Sequence, residues 1–362
     1  MQLTFTEEQE MLKQSAKKFF KNQWSIEQAR NYHHNPPFWQ QLTQAGWLSL
    51  LIPQNEGGAG GTLLDMGIVL EQAGYALCTP LFYSTVHAIV LCKALRAHSY
   101  LQQIANGKSA TVAFEEAQAH NDATYFSTYA QYKDCWLLNG QKIFVPQVAE
   151  ADLLFVCAKT ANGFGVFAVN KGDTMLTAQQ TIGCNGLTVV NLSNVKATCL
   201  ANDITAEQLH HIRLQMTALQ SVEMVGGMCS VIDQTVHYVS MRKQFNVAIG
   251  SFQAVQHHLA NMYTGYRGAR LLAYKALFLF DKDDVEAIKA THLAKAYASE
   301  VYQYITMMAH QLWGGIGYST ESTLYLWSNR ATATGLSYGT AMVHKQALGK
   351  ILKEQVQAVQ TI

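Results

Sequence analysis

Charge is scarce in this sequence. Only 14% of its 362 residues are Asp, Glu, Lys or Arg, and the formal net charge is +1. So balanced a chain has no electrostatic footing for nucleic acid or an anionic membrane, and any phosphate it binds must be met by local groups. Proline is rare, at five residues, which suits long helices. No run of about 18 apolar residues occurs, so no membrane span is expected. Met1 to Glu8 carry neither a basic stretch nor an apolar core, so no signal peptide is read there. Cys78, Cys92, Cys135, Cys157, Cys184, Cys199 and Cys229 stand singly, without a C-x-x-C pair. That argues for reduced thiols, a cytoplasmic setting and no zinc site. No His pair at i, i+4 comes with a carboxylate, so metal chemistry is not expected.

What the chain has in quantity is apolar surface. Hydrophobic residues make up 49%, so much of it should be buried, in cores or in subunit interfaces. Thr6 and Gln9 read as a capping box ahead of a helix with Met11, Leu12, Ala16, Phe19 and Phe20 at helical spacing. Helices are expected at Phe38–Ala45, Thr62–Leu77 and Pro80–Ala97, with the glycine-rich loop Leu51 to Gly61 between the first two.

From Ala110 the period shortens. Thr111–Phe114, Tyr125–Tyr132, Trp136–Leu138, Lys142–Val145, Leu153–Cys157, Gly165–Val169 and Leu187–Leu192 read as short strands. Asn139-Gly140 reads as a type I′ hairpin turn. From Glu207 helical spacing returns in three long patterns, the first ending at Met241 and the third stopped at Gly314 and Gly315, followed by a last helix over His344–Val359. The expected fold class is α+β: a helical N-terminal domain over residues 1–109, a small antiparallel β-barrel over 110–204 and a C-terminal four-helix bundle over 205–362.

Two stretches gather chemistry. Arg242 to Gln256 packs a guanidinium, several carboxamides and two aromatic rings between long helices. Such a set suits phosphate, sugar hydroxyls or a heteroaromatic edge. It equally reads as a connector whose Arg pairs with a carboxylate. In Gln311-Leu312-Trp313-Gly314-Gly315-Ile316-Gly317-Tyr318, glycines allow close backbone approach to a ligand, or simply cap a helix.

Both stretches carry a family resemblance. Arg242 to His257 resembles the R-x-Q-F-G-x-x-I-G-x-F-Q-A-x-Q-H segment of the acyl-CoA dehydrogenases, with Asn246 where the family has Gly. Gln311 to Tyr318 resembles the family's Q-x-x-G-G-x-G-Y, and Ile52 to Gly60 its I-P-x-x-x-G-G-x-G loop. Leu138 to Pro146 resembles L-N-G-x-K-x-W-I-T, with Phe144 and Pro146 at the Trp and Thr positions. Phe114 to Asp122 resembles T-E-P-x-A-G-S-D only at Glu116, Ala119 and Asp122.

The resemblance spans nearly the whole chain and implies FAD as cofactor and an acyl-CoA thioester as substrate. It implies that Arg242, Gln244, Phe245, Phe252 and Gln256 serve a neighbouring protomer's FAD. Gln311, Gly314 and Gly315 would hold the ADP part, and Phe144, Val145 and Thr340 would lie at the flavin. It also implies α-proton abstraction by a Glu in an I-Y-E-G-T segment. Here that segment is Leu336-Ser337-Tyr338-Gly339-Thr340, so Tyr338 takes the base position; the family's second base position falls on Met216. A phenol ordinarily titrates about pH 10, which makes it a poor base at neutral pH. Glu223 is a carboxylate on the same helix as Met216. Three readings stay open: a dehydrogenase-like flavoenzyme working as a homo-oligomer (dimer or tetramer) or a hetero-oligomer, a base-less subunit of an αβ hetero-oligomer, and flavin chemistry without α-proton abstraction.

Overall fold

A computed structural model describes residues 4–31, 35–118, 123–183 and 186–360. Ala119 to Asp122 and Cys184 therefore lie outside the described residues. Among the described residues, six helices come first: α1 (Glu7–Gln23), α2 (Ile26–Asn31), α3 (Pro36–Gln44), α4 (Leu63–Tyr75), α5 (Pro80–Ala94) and α6 (His98–Ala105). Seven strands follow: β1 (Ala110–Ala113), β2 (Tyr129–Tyr132), β3 (Trp136–Pro146), β4 (Leu153–Thr160), β5 (Gly163–Val169), β6 (Met175–Ala178) and β7 (Leu187–Ile204). Then come α7 (Ala206–Met241), a two-strand hairpin of β8 (Lys243–Gln244) and β9 (Val247–Ala248), and helices α8 (Gln253–Phe280), α9 (Glu286–Trp313), α10 (Leu324–Leu336) and α11 (Ala341–Gln360). The expected succession of helical, β and helical regions is the one observed. No helix among the described residues is long and apolar enough to cross a membrane.

The chain divides into two compact units. One takes Met1–Arg30, Leu63–Cys78 and Thr217–Ile362; the other takes Asn31–Thr62 and Thr79–Met216.

In the first unit local sequence starts and stops the helices. The capping box forms as expected, with Gln9 N donating to Thr6 Oγ1 and Thr6 N to Gln9 Oε1, each at 3.2 Å. Asp281, just past α8, caps α4 in space: its two carboxylate oxygens accept from Leu63 N at 2.8 Å and Leu64 N at 2.9 Å. Helices α4 and α7 cross where both carry glycine. A Cβ on Gly74 would stand 2.1 Å from Glu223 O, and one on Gly226 would stand 2.0 Å from Glu71 O. Alanines 269, 273, 276, 287, 290, 294 and 298 are buried on α8 and α9, and small side chains let packed helices approach closely. Gly314, with φ +64 and ψ −145, ends α9, as its sequence position suggests.

In the second unit the strands run in the order β1-β4-β2-β3-β7-β5, with a further β4–β5 pairing and β6 on β7. Strands β4, β2, β3, β7 and β5 therefore close into a ring. β1 and β2 join β4 in parallel; the other pairings are antiparallel. The interior is filled by Leu138, Val145, Leu154, Val156, Phe167, Val190 and Leu192, among others.

Asn139-Gly140 is not the expected turn. β3 runs straight through it, and the register with β7 shifts between Leu138 and Gly140. Gly140 has φ +139, and a Cβ there would stand 2.6 Å from Thr128 Cα. The glycine thus makes a bulge at a tight crossing, and Asn139 pairs with Asn194 across the ladder at 2.8 and 3.1 Å. Helix α5 stops at Ala94 rather than Ala97, and Arg96 takes φ +54. The sequence pattern does not announce helices α2, α6 and α10 or the short strands β6, β8 and β9. α10 is rich in weak helix formers (Ser328, Thr332, Thr334, Gly335); its buried face, Leu324, Trp327, Ala331 and Thr334, comes from packing.

Candidate functional site

The hairpin between α7 and α8 pairs Lys243 with Ala248 and Gln244 with Val247, which leaves Phe245-Asn246 as a two-residue loop. Both loop residues have positive φ, +52 and +64. That is the signature of a type I′ turn, which favours Gly or Asn at such positions. Asn246 therefore keeps the conformation that a Gly would give. Phe245 is held in a region that bulky residues avoid and is 88% exposed. Arg242, Gln244, Phe252 and Gln256 are exposed as well. The amide of Gln256 donates to Gly250 O at 3.2 Å, and that of Gln244 turns back to Lys243 O at 2.9 Å. Phe245 and Phe252 meet edge-on with ring centroids 6.4 Å apart. The hairpin and the start of α8 thus present a guanidinium, carboxamides and two rings on an exposed surface.

Gln311, Gly314 and Gly315 are also exposed, and a Cβ on either glycine would meet nothing within 4 Å. The segment is anchored from one side by Trp313. Its ring stacks on Tyr238 with centroids 4.5 Å apart, its Nε1 donates to Thr235 Oγ1 at 3.3 Å, and its carbonyl accepts from Tyr238 Oη at 3.2 Å. Tyr238 and Thr235 belong to the last turns of α7, just before Arg242. Nothing in the sequence announces this staple, because it joins residues 75 apart.

Tyr338 lies half-buried in the turn between α10 and α11, with φ +57, followed by Gly339 at φ +107 and Thr340. Thr340 Oγ1 accepts from Val343 N at 3.4 Å and so opens α11. Under the turn, His344 Nε2 lies 3.2 Å from Tyr338 O, and His344 Nδ1 lies 2.8 Å from Nδ1 of His292 on α9.

Glu223 is fully buried on α7 and committed to Arg330 of α10, whose Nε donates at 2.6 Å. Burial raises its carboxyl, against the pull of Arg330 and Lys295. Lys295 is itself buried and donates to Thr334 O at 2.5 Å; burial lowers its ammonium from 10.5 to about 7. Glu223 is thus part of a buried charge cluster and Arg330 its partner.

In the second unit, Phe144 has φ +51 and is 48% exposed, so its ring stands out from β3. Its N–H is taken by Gln179 Oε1 at 3.1 Å. Val145 is buried, and Pro146 O accepts from Thr111 Oγ1 at 2.6 Å. Two residues before Phe144, buried Lys142 donates to Glu116 Oε1 at 2.7 Å and Phe114 O at 3.1 Å, with its Nζ 3.7 Å from the Phe126 ring centroid. Glu116 also accepts from Ser127 N and Oγ at 2.6 and 2.8 Å. Burial pushes its carboxyl up, but Lys142 and Ser127 together bring it below the usual carboxylate range. Glu115 is paired with Arg213, and Met216 is buried.

A cleft of about 600 Å³ also opens in the first unit, lined by Phe5, Tyr75, Asp233, Tyr263, Tyr266 and Arg267 among others. None of the expected site residues lines it.

Comparison with known proteins meets this geometry from outside. The chain matches the family models described as acyl-CoA dehydrogenase, N-terminal domain, over residues 6–107, and acyl-CoA dehydrogenase, C-terminal domain, over residues 203–353. It is 26% identical over 333 residues to a protein of Mycobacterium tuberculosis named probable acyl-CoA dehydrogenase, covering 86% of each. It is 26% identical over 378 residues to the caffeyl-CoA reductase-Etf complex subunit CarC of Acetobacterium woodii, covering 97% of this chain and 100% of that one. Butyryl-CoA dehydrogenase from Megasphaera elsdenii shares the fold, with a TM-score of 0.88 at 21% identity over 97% of this chain and 100% of that one. So does the ChsE4-ChsE5 complex from Mycobacterium tuberculosis, with a TM-score of 0.88 at 24% identity over 98% and 99%. With both terminal models matched and the fold shared along its length, the chain belongs to the acyl-CoA dehydrogenase family, a family of flavoenzymes.

Proposed function

We propose that this chain is an FAD-dependent oxidoreductase acting on an acyl-CoA thioester, with Tyr338 where the family's Glu base would stand. The observation that carries the reading is the hairpin. Arg242, Gln244 and Phe245 are held outward on a turn that strains Phe245, an arrangement suited to a ligand beyond the unit itself.

The residues fit the ADP end of FAD. Arg242 offers a bidentate fork to phosphate. The open main chain at Gly314-Gly315, where no Cβ stands in the way, suits ribose and phosphate oxygens, with Gln311 alongside. In the second unit Phe144 offers a ring face to stack on. Pro146 offers no N–H, and the N–H of Phe144 is already taken, so that segment would orient by shape rather than by donated hydrogen bonds. Bound FAD would supply the two-electron chemistry that side chains lack. Tyr338 is suited to donate a hydrogen bond near a thioester rather than to remove a carbon acid's proton at neutral pH.

A second reading follows from the same hairpin: a chain whose outward contacts are kept and whose base position is altered also suits the role of a subunit completing a paralogue's FAD site. The test is the flavin absorbance of the purified protein, alone and with a Glu-bearing paralogue, followed by anaerobic titration with acyl-CoAs. Flavin that bleaches with the isolated chain supports the enzyme reading. Flavin and turnover only in the mixture support the subunit reading. A colourless protein that takes up no FAD either way overturns both.

A further inference from the structure

The two buried imidazoles beneath Tyr338 form an ordered relay. His344 Nε2 stands 3.2 Å from the carbonyl oxygen of Tyr338. A carbonyl only accepts, so Nε2 carries the proton. Two ring nitrogens 2.8 Å apart, Nδ1 of His344 and Nδ1 of His292, need one donor and one acceptor. With both rings neutral, His344 has already placed its proton on Nε2, so its Nδ1 accepts and His292 donates. Each tautomer is fixed by the next group: His292 Nδ1–H to His344 Nδ1, and His344 Nε2–H to Tyr338 O. Both rings are buried, 5% and 3% exposed, where a misplaced proton would leave polar atoms facing each other out of water.

The relay ends on a strained turn. Tyr338 and Gly339 take successive positive φ values, +57 and +107. For the tyrosine this is a sparsely populated conformation, one that persists only when its surroundings hold it. The His344 ring lies directly against the turn: a Cβ on Gly339 would stand 3.1 Å from its Nε2. The three elements joined are α9, through His292, the first turn of α11, through His344, and the α10–α11 turn.

We propose that His344 and His292 are positioning residues for the reaction. They clamp the Tyr338 carbonyl and so set the direction in which the Tyr338 side chain leaves the turn. They act through the Tyr338 turn, and the proposal rests on the reading that Tyr338 faces an acyl-CoA thioester.

The test uses the intact purified protein and three variants. His344→Leu removes the donor. His344→Gln keeps an N–H at similar reach. His292→Leu keeps the contact with Tyr338 but removes what orders the His344 ring, and it serves as the comparison if His344→Leu does not fold. Amide exchange of the peptide spanning residues 337–343 is read by mass spectrometry, beside kcat and KM for acyl-CoA. In His344→Leu, exchange should quicken about tenfold, the scale of one lost hydrogen bond, and kcat should fall by a similar factor with KM nearly unchanged. His344→Gln should restore both. Unchanged exchange in His344→Leu, or a His344→Gln variant as defective as His344→Leu, overturns the proposal and leaves the acyl-CoA reading intact. Quickened exchange in a protein that turns over no acyl-CoA, even in its parent form, overturns the assignment to the reaction and with it the acyl-CoA reading, while the clamp on the turn stands.

Discussion

Arg330 Nε donates to Glu223 Oε1 at 2.6 Å with both side chains nearly sealed from water, 7% and 4% exposed. Removing one partner of such a pair strands a buried charge, which costs about 3–5 kcal/mol. Glu223→Gln and Arg330→Met should each lower stability to urea by that order, and kcat per folded flavin-bearing molecule should hold. A Glu223→Gln enzyme of normal stability whose kcat collapses would mean that this carboxylate is the base after all.

Lys295, beside that pair, gives a pH dependence of fixed sign. Its ammonium titrates near 7 in the folded protein instead of 10.5, chiefly because it is buried. Between those values the unfolded chain holds the proton and the folded chain does not, so stability rises with pH across the window. Below pH 7 the folded chain holds the proton too, and the buried charge is carried at full cost. The stability of the parent relative to Lys295→Met should therefore grow from pH 7 to pH 10, by a few kcal/mol at most. Equal slopes in the two proteins would refute it.

The crossing of α4 and α7 should tolerate no methyl group. Gly226→Ala would set a carbon 2.0 Å from Glu71 O, so the helices must part. The expected loss is on the order of 1–3 kcal/mol, seen as a lower melting temperature. Gly349→Ala on α11, where a Cβ meets nothing within 4 Å, should be neutral or mildly stabilising.

These pairs show what a sequence can and cannot disclose. The long helices were legible because apolar residues at helical spacing state their own buried face, and Gly314 and the Thr6 box state their ends. Turn chemistry was harder. Asn139-Gly140 has the composition of a type I′ loop, yet Thr128 packed against Gly140 makes it a bulge inside β3. The I′-like loop is Phe245-Asn246, where a phenylalanine hides the signal. The clusters around Glu223, Lys142 and His344 were invisible as contacts. Arg330 and Glu223 are 107 residues apart, and no periodicity links residues that only tertiary packing brings together.

Arg242 offers the most direct check on the cofactor. Arg242→Ala should lose flavin on gel filtration at least about tenfold more readily than the parent, with helix content unchanged. Arg242→Lys should restore little, since an ammonium cannot reproduce a planar fork. Full flavin retention in Arg242→Ala would remove the hairpin from the cofactor site.

Tyr338→Glu tests the base position. If the turn faces the thioester, a carboxylate there should raise dehydrogenation of a saturated acyl-CoA by about 10²-fold or more, the usual scale of general base catalysis. Stopped-flow bleaching of the flavin reads it. No gain over a parent that itself turns over slowly would place the base elsewhere.

The ring of strands carries one more implication. β4, β2, β3, β7 and β5 close on one another, completed where Tyr129 meets Lys159 and Lys159 N donates to Thr128 O at 2.9 Å. Among the described residues outside the ring, β1 is buried throughout, and β6, four exposed residues, presents a rim. Among the described residues, main-chain groups that could template another strand are thus nearly all used up, so these strands are poorly suited to recruit a second chain by strand addition or to seed cross-β aggregates.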